Sequence, residues 1–174
     1  VFYVNSTIPW RSILSVVFFS VIIVLTLYAL PIWLVIQVLE ADFKKRIGII
    51  NNLLEKVLKL DPERIKNVRD RLNKGVCELK EKYDENRFEQ EIIYYIEKFD
   101  ITEETVRLQN HLEYFIKTLS SSESNGKKLG FISQEMGREI NTIGSKANFA
   151  PMQKLVVQMK DELEKIKEQL LNVL

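Results

Sequence analysis

Two stretches of this 174-residue chain set acids, bases and amides at helical spacing. In "QEMGREINTIGSKA", Gln134 to Ala147, Glu135 and Glu139 stand four residues apart, with Arg138 beside Glu139 and Asn141, Ser145 and Lys146 following. On a helix both carboxylates share a face, where they repel by a few tenths of a kcal/mol (on the order of 0.2–0.5) unless a cation sits between them. A helix selected only for stability would rarely combine that pair with Asn, Thr and Gly in the next turn. Lys146, after the glycine at 144, could meet a phosphate.

The second stretch holds Glu103, Glu104, Arg107 and His111. Glu104, Arg107 and His111 step by three and four and so share a face. His111 could move a proton near neutral pH, and Glu103 and Glu104 could hold a divalent cation. A solvated helix face with an Arg–Glu pair has the same spacing. A structural hydrogen-bond network joining helices would use Gln134 to Ala147 equally well. Arg87, Glu89 and Glu91, in "RFEQEIIYY", read as partners for salt bridges across helices.

Other chemistries are bounded by composition. One histidine cannot build a zinc triad. The single cysteine, Cys77, excludes an intrachain disulfide framework and reads as a small buried hydrophobe. No Gly-rich phosphate loop, Ser-His-Asp arrangement or Cys-His pair is present. The 25 basic and 24 acidic residues nearly cancel, so no broad cationic field announces nucleic acid.

The elements that must position these residues are helices: an all-α chain, with a transmembrane-like helix in residues 1–40 followed by a bundle of long antiparallel helices in 41–174. Ser12 to Leu39 contains no charge. At about 1.5 Å per residue that run exceeds the roughly 30 Å hydrocarbon core of a bilayer. Trp10, Tyr28 and Trp33 suit interfacial levels, Pro31 can kink or end the helix, and Lys44, Lys45 and Arg46 would leave the C-terminal part in the cytoplasm. A buried core helix is the alternative. An Asn5-Ser6-Thr7 sequon precedes it.

Phe43, Ile47, Ile50, Leu54 and Val57 then step by four and three. Asp61-Pro62 predicts a break, with Asp61 as N-cap, before a second stripe of Ile65, Val68, Leu72, Val76, Leu79 and Tyr83. A third helix is expected over Arg87 to Phe99. A fourth, capped by Asp100 or Thr102, carries Leu108, Leu112, Phe115 and Leu119. After the loop Ser120 to Gly126, a fifth over Lys127 to Ile143 carries Leu129, Ile132, Met136 and Ile140, and "GSKANFAP" interrupts it. Pro151 opens a last helix with a coiled-coil-like seam of Val156, Met159, Leu163, Ile166, Leu170 and Val173.

Three blocks, "RFEQEIIYYIEKFDITEETVRLQNHLEYF", "GKKLGFISQEMGREINTIGSKAN" and "VVQMKDELEKIKEQLLNV", closely resemble the C-terminal region of the YicC/YloC-like bacterial endoribonuclease family. The likeness runs from Arg87 to Leu174 and extends loosely back to Phe43. It implies a divalent-metal-dependent, cytoplasmic endoribonuclease that acts on RNA and assembles as a homo-oligomer. It also implies catalytic roles among Glu104, His111, Glu135 and Glu139, metal ligation by Glu103, Glu135 and Glu139, and RNA contacts from Arg107, Arg138, Asn141 and Lys146. Gly130 and Gly137 stand where the family usually has Asp and Asn, and Asn110 replaces a common Ser. The family's upstream mixed α/β domain is replaced here by the apolar run. A natural membrane tether, a frameshift and an assembly error each account for that, with the last two together favoured. A membrane-anchored helical interaction module without catalysis is the alternative function.

Overall fold

The structure, a computed structural model, describes residues 10–78, 85–121 and 125–173. The sequon at Asn5, Leu79 and Tyr83 and the middle of the 120–126 loop lie outside them, as do the side chains of Val76, Cys77 and Val173. Every described regular element is an α-helix: α1 (Trp10–Glu78), α2 (Glu85–Lys98), α3 (Thr102–Leu119), α4 (Gly126–Ala147) and α5 (Ala150–Val173). The chain divides into two compact units, Val1–Ala41 and Asp42–Leu174.

In the first unit α1 presents apolar side chains to the outside all round, including Phe18, Phe19, Leu27, Trp33 and Val38. Two of its hydroxyls are satisfied locally: Ser20 donates to the Val17 carbonyl at 2.8 Å and Thr26 to that of Ile23 at 2.9 Å. A helix hydrophobic all round is one that lies in a large core or spans a membrane. Among the described residues this is the one helix long and apolar enough to cross a bilayer.

The second unit buries one stripe from each helix. Phe43, Ile47, Ile50, Leu54 and Val57 of α1 are all buried, joined by Leu53. Leu108, Leu112 and Phe115 of α3, Leu129, Ile132, Met136 and Ile140 of α4, and Val156, Met159, Leu163, Ile166 and Leu170 of α5 complete the core with Ile92 of α2. Phe43 meets Phe115 edge to face, with ring centroids 6.0 Å apart. Burying each such side chain contributes about 1.5–3 kcal/mol, offset by the entropy of ordering the chain.

The break expected at Asp61-Pro62 does not occur; α1 runs through Pro31 and Pro62. An interior proline costs about 3 kcal/mol relative to alanine; Pro62 stands between the buried Val57 and Arg64. Asp61 accepts from Arg64 Nε at 2.7 Å in place of the expected cap. Continuity also fixes the phase. Seven residues, two turns, beyond Val57 lies Arg64, so Arg64 is buried and the expected Ile65 is only half-buried.

α4 likewise runs four residues beyond its expected end. A Cβ on Gly144 would lie 3.0 Å from Val156 Cγ1, so the glycine lets α5 approach. Gln153 Nε2 donates to the Gly144 carbonyl. Asn148, at φ 38°, closes α4 in the left-handed conformation that ends many helices.

Candidate functional site

Asp100 sets the start of α3. Its Oδ1 accepts from the Thr102 hydroxyl at 2.7 Å and the Thr102 amide at 3.2 Å, forming a tight turn. Glu103 and Glu104 follow in the first helical turn, where the helix dipole favours negative charge. Glu103 stays exposed and pairs with Arg107, also exposed. Glu104 turns inward and is 6 % exposed.

A buried carboxylate needs a partner. Lys146, near the end of α4, supplies it: its Nζ lies 2.7 Å from Glu104 Oε1 and donates to the Asp100 carbonyl at 2.9 Å. Glu104 Oε2 is buried with no hydrogen-bond partner. The bridge joins the first turn of α3 to the last turn of α4, so the two helices run antiparallel. The Asn125 side chain, donating to the Thr118 carbonyl, closes their other end. With equal rise along both helices, this register carries His111 to the level of Glu139.

The polar residues of α4 then sort into two strips. Gln134, Arg138, Asn141 and Ser145 are exposed, at steps of four, three and four. Glu135, Glu139, Thr142 and Lys146, at the same steps, are half-buried or buried. Arg138 reaches Glu135 at 3.5 Å on the surface, a pair worth about 0–1 kcal/mol. Glu139 is 8 % exposed and has no ion pair or hydrogen bond among the described residues. His111 is half-buried and likewise unpaired.

Thus the fold brings Glu104 to Lys146 and His111 to the level of Glu139. It leaves Glu103 and Arg107 together on the surface, and Asn141 exposed. Among the described residues no three His, Cys, Asp or Glu side chains converge as a metal cluster.

Beside this bridge lies a cavity of about 320 Å³ lined by residues of α1 and α2 and by Lys146, Ala147 and Asn148. Arg64 reaches across to it, donating to the Phe99 carbonyl at 2.9 Å. Sequence reasoning missed Arg64. The signal available was the uninterrupted phase of the α1 stripe, hidden by the expected break at Pro62.

The Asp100 carboxyl is held below its ordinary value of 3.8, first by the Thr102 hydroxyl, then by the Thr102 and Ile101 amides and the Lys146 charge, against some desolvation.

A family model described as "Endoribonuclease YicC-like, C-terminal" matches residues 57–174. A relative named "Probable endoribonuclease YicC" from Clostridioides difficile (strain 630) is 39% identical over 138 residues, covering 78% of this chain and 47% of that protein. One of the same name from Haemophilus influenzae (strain ATCC 51907 / DSM 11121 / KW20 / Rd) is 37% identical over 90 residues, covering 52% of this chain and 31% of that protein. The chain thus spans less than half the length of these curated relatives.

A carboxyl depressed on folding stabilises the fold above its unfolded value and loses that contribution as pH falls through the lower folded value. Thr102→Val removes the leading cause of the shift. The Asp100 carboxyl resonance is expected to titrate closer to 3.8, and the loss of stability in that acid range to shrink. An unchanged titration would show that the hydroxyl does not hold the charge.

Proposed function

Because the chain belongs to the YicC-like endoribonuclease family, we propose that its helical unit, Asp42–Leu174, takes part in cleaving RNA phosphodiester bonds. The supporting observation is Glu139, a residue only 8 % exposed whose carboxylate has no ion pair or hydrogen bond among the described residues, at the level of His111 and one turn from Glu135. A carboxylate in a largely buried residue that still reaches solvent and has no protein partner is available to an ion or ligand.

A divalent cation, Mg²⁺ or Mn²⁺, fits that donor chemistry. Glu139 and Glu135 would hold it; two carboxylates meet what Mg²⁺ requires of protein, with water and phosphate oxygens completing its shell. Glu103, paired with Arg107 on the surface, is the less suitable ligand. When bound, the metal would stabilise charge on the phosphorus centre and activate water. His111 would take up or deliver a proton. Lys146, held by Glu104, and the exposed Arg107, Arg138 and Asn141 would position the RNA backbone. Assembly as a homo-oligomer is part of the same reading and rests on the family resemblance alone.

We further propose that residues 12–39 span a membrane, leaving the helical unit in the cytoplasm. The observation behind this is the outward apolar surface of α1 before Glu40, followed by Lys44, Lys45 and Arg46.

The cleavage reading is tested on structured RNA with and without Mg²⁺ or Mn²⁺. Cleavage is expected to need the metal and to fall by at least about 100-fold in Glu139→Gln, in the range typical of losing acid–base or metal chemistry, with helical circular dichroism unchanged. Intact RNA at high protein concentration would instead favour a helical interaction module without catalysis. For the membrane reading, the protein is expected to stay with the membrane fraction in alkaline carbonate. Release into the soluble fraction would contradict it.

A further inference from the structure

The cavity beside the Glu104–Lys146 bridge carries chemistry that the cleavage reading leaves unused. We propose that it is a pocket for one nucleotide of single-stranded RNA, with the phosphate held by Arg64, Arg71 and Lys146 and the base against Tyr95 and Phe99. This rests on the proposal that RNA is the substrate and adds where the strand is gripped.

Its charge selects an anion. Arg64, Arg71 and Lys146 line it, and no acidic side chain does so among the described residues. Arg64 is 2 % exposed. A guanidinium carries five N–H donors; Nε is engaged by Asp61 and Nη1 by Phe99. Its Nη2 has no protein acceptor among the described residues and is not sealed from solvent, so it can serve a ligand in the cavity that Arg64 lines. Arg71 is exposed and makes no ion pair or hydrogen bond among them. Lys146 keeps one of its three donors after Asp100 and Glu104 are served. Donors held in place with capacity to spare are what a phosphate needs.

Its walls select a base. Tyr95 and Phe99 sit one turn apart on the α2 side, their rings near-parallel at 10° with centroids 6.2 Å apart. Such aromatic pairs give flat apolar surface on which an unstacked base can rest, the usual way proteins hold single-stranded RNA. The volume, about 320 Å³, lies at the small end of the roughly 300–1,000 Å³ typical of ligand pockets. A single splayed nucleotide fits that scale and a duplex does not.

The test measures binding of the full chain, in zwitterionic detergent with EDTA, to a fluorescent single-stranded oligoribonucleotide across a salt series. Arg71→Ala is expected to weaken binding about tenfold and lower the salt slope by about 0.7, the loss of one phosphate contact to a single strand. Tyr95→Leu is expected to weaken binding by about tenfold, within the stacking range, with the salt slope unchanged. Circular dichroism checks that both fold; Arg71 is exposed and unpartnered, so its loss disturbs no packing. Wild-type binding matched by both variants would overturn the pocket while leaving the cleavage reading standing. No binding and no metal-dependent cleavage by the wild type would remove the reading on which the pocket rests.

Discussion

Glu104 lies buried at the start of α3, and Lys146, 42 residues away in sequence, reaches it from the end of α4. Removing a carboxylate from water costs several kcal/mol, which only close and well-aligned partners repay. The lysine therefore constrains more than itself. By also holding the Asp100 carbonyl, it ties the turn that begins α3 to the last turn of α4. The antiparallel register of the two helices follows from that tie, and with it the level at which His111 meets Glu139. The two polar stretches that could do chemistry are thus aligned by an ion pair made from members of both.

The same alignment separates structure from availability. On α4, one strip faces water and offers Arg138 and Asn141 to a partner. The neighbouring strip turns toward the bundle and leaves Glu139 without a counter-charge among the described residues. A bundle held together by its apolar seam gains nothing from that carboxylate, since hydrophobic residues of similar volume are often neutral or stabilising in its place. The proposed cleavage reading gives that carboxylate a role as a cation ligand.

Much of the fold was legible because apolar periodicity is local. The stripes in α1 up to Val57 and in α5 up to Leu170 emerged buried residue for residue. Where the reading failed, a distant contact outweighed a local signal. Asp61-Pro62 has the form of a helix start, yet α1 runs on through it between the buried Val57 and Arg64 and leaves Ile65 half-buried. Gly144 and Ser145 have the form of a loop, yet the close approach of Val156 keeps them helical. In the candidate site, spacing grouped Glu104 with Arg107 and His111 on one face. The structure instead gives Arg107 to Glu103 and Glu104 to Lys146. Pairing across helices depends on register, which no single stretch of sequence contains.

The most direct test of this account is a double-mutant cycle on the bridge, Glu104→Gln and Lys146→Gln, read by chemical denaturation. If the pair sets the register of α3 against α4, the two changes should be coupled by about 1 kcal/mol or more, within the 0.5–3 kcal/mol found for residues in contact. Additive effects would mean that Glu104 and Lys146 act independently, and that something else aligns the two polar stretches.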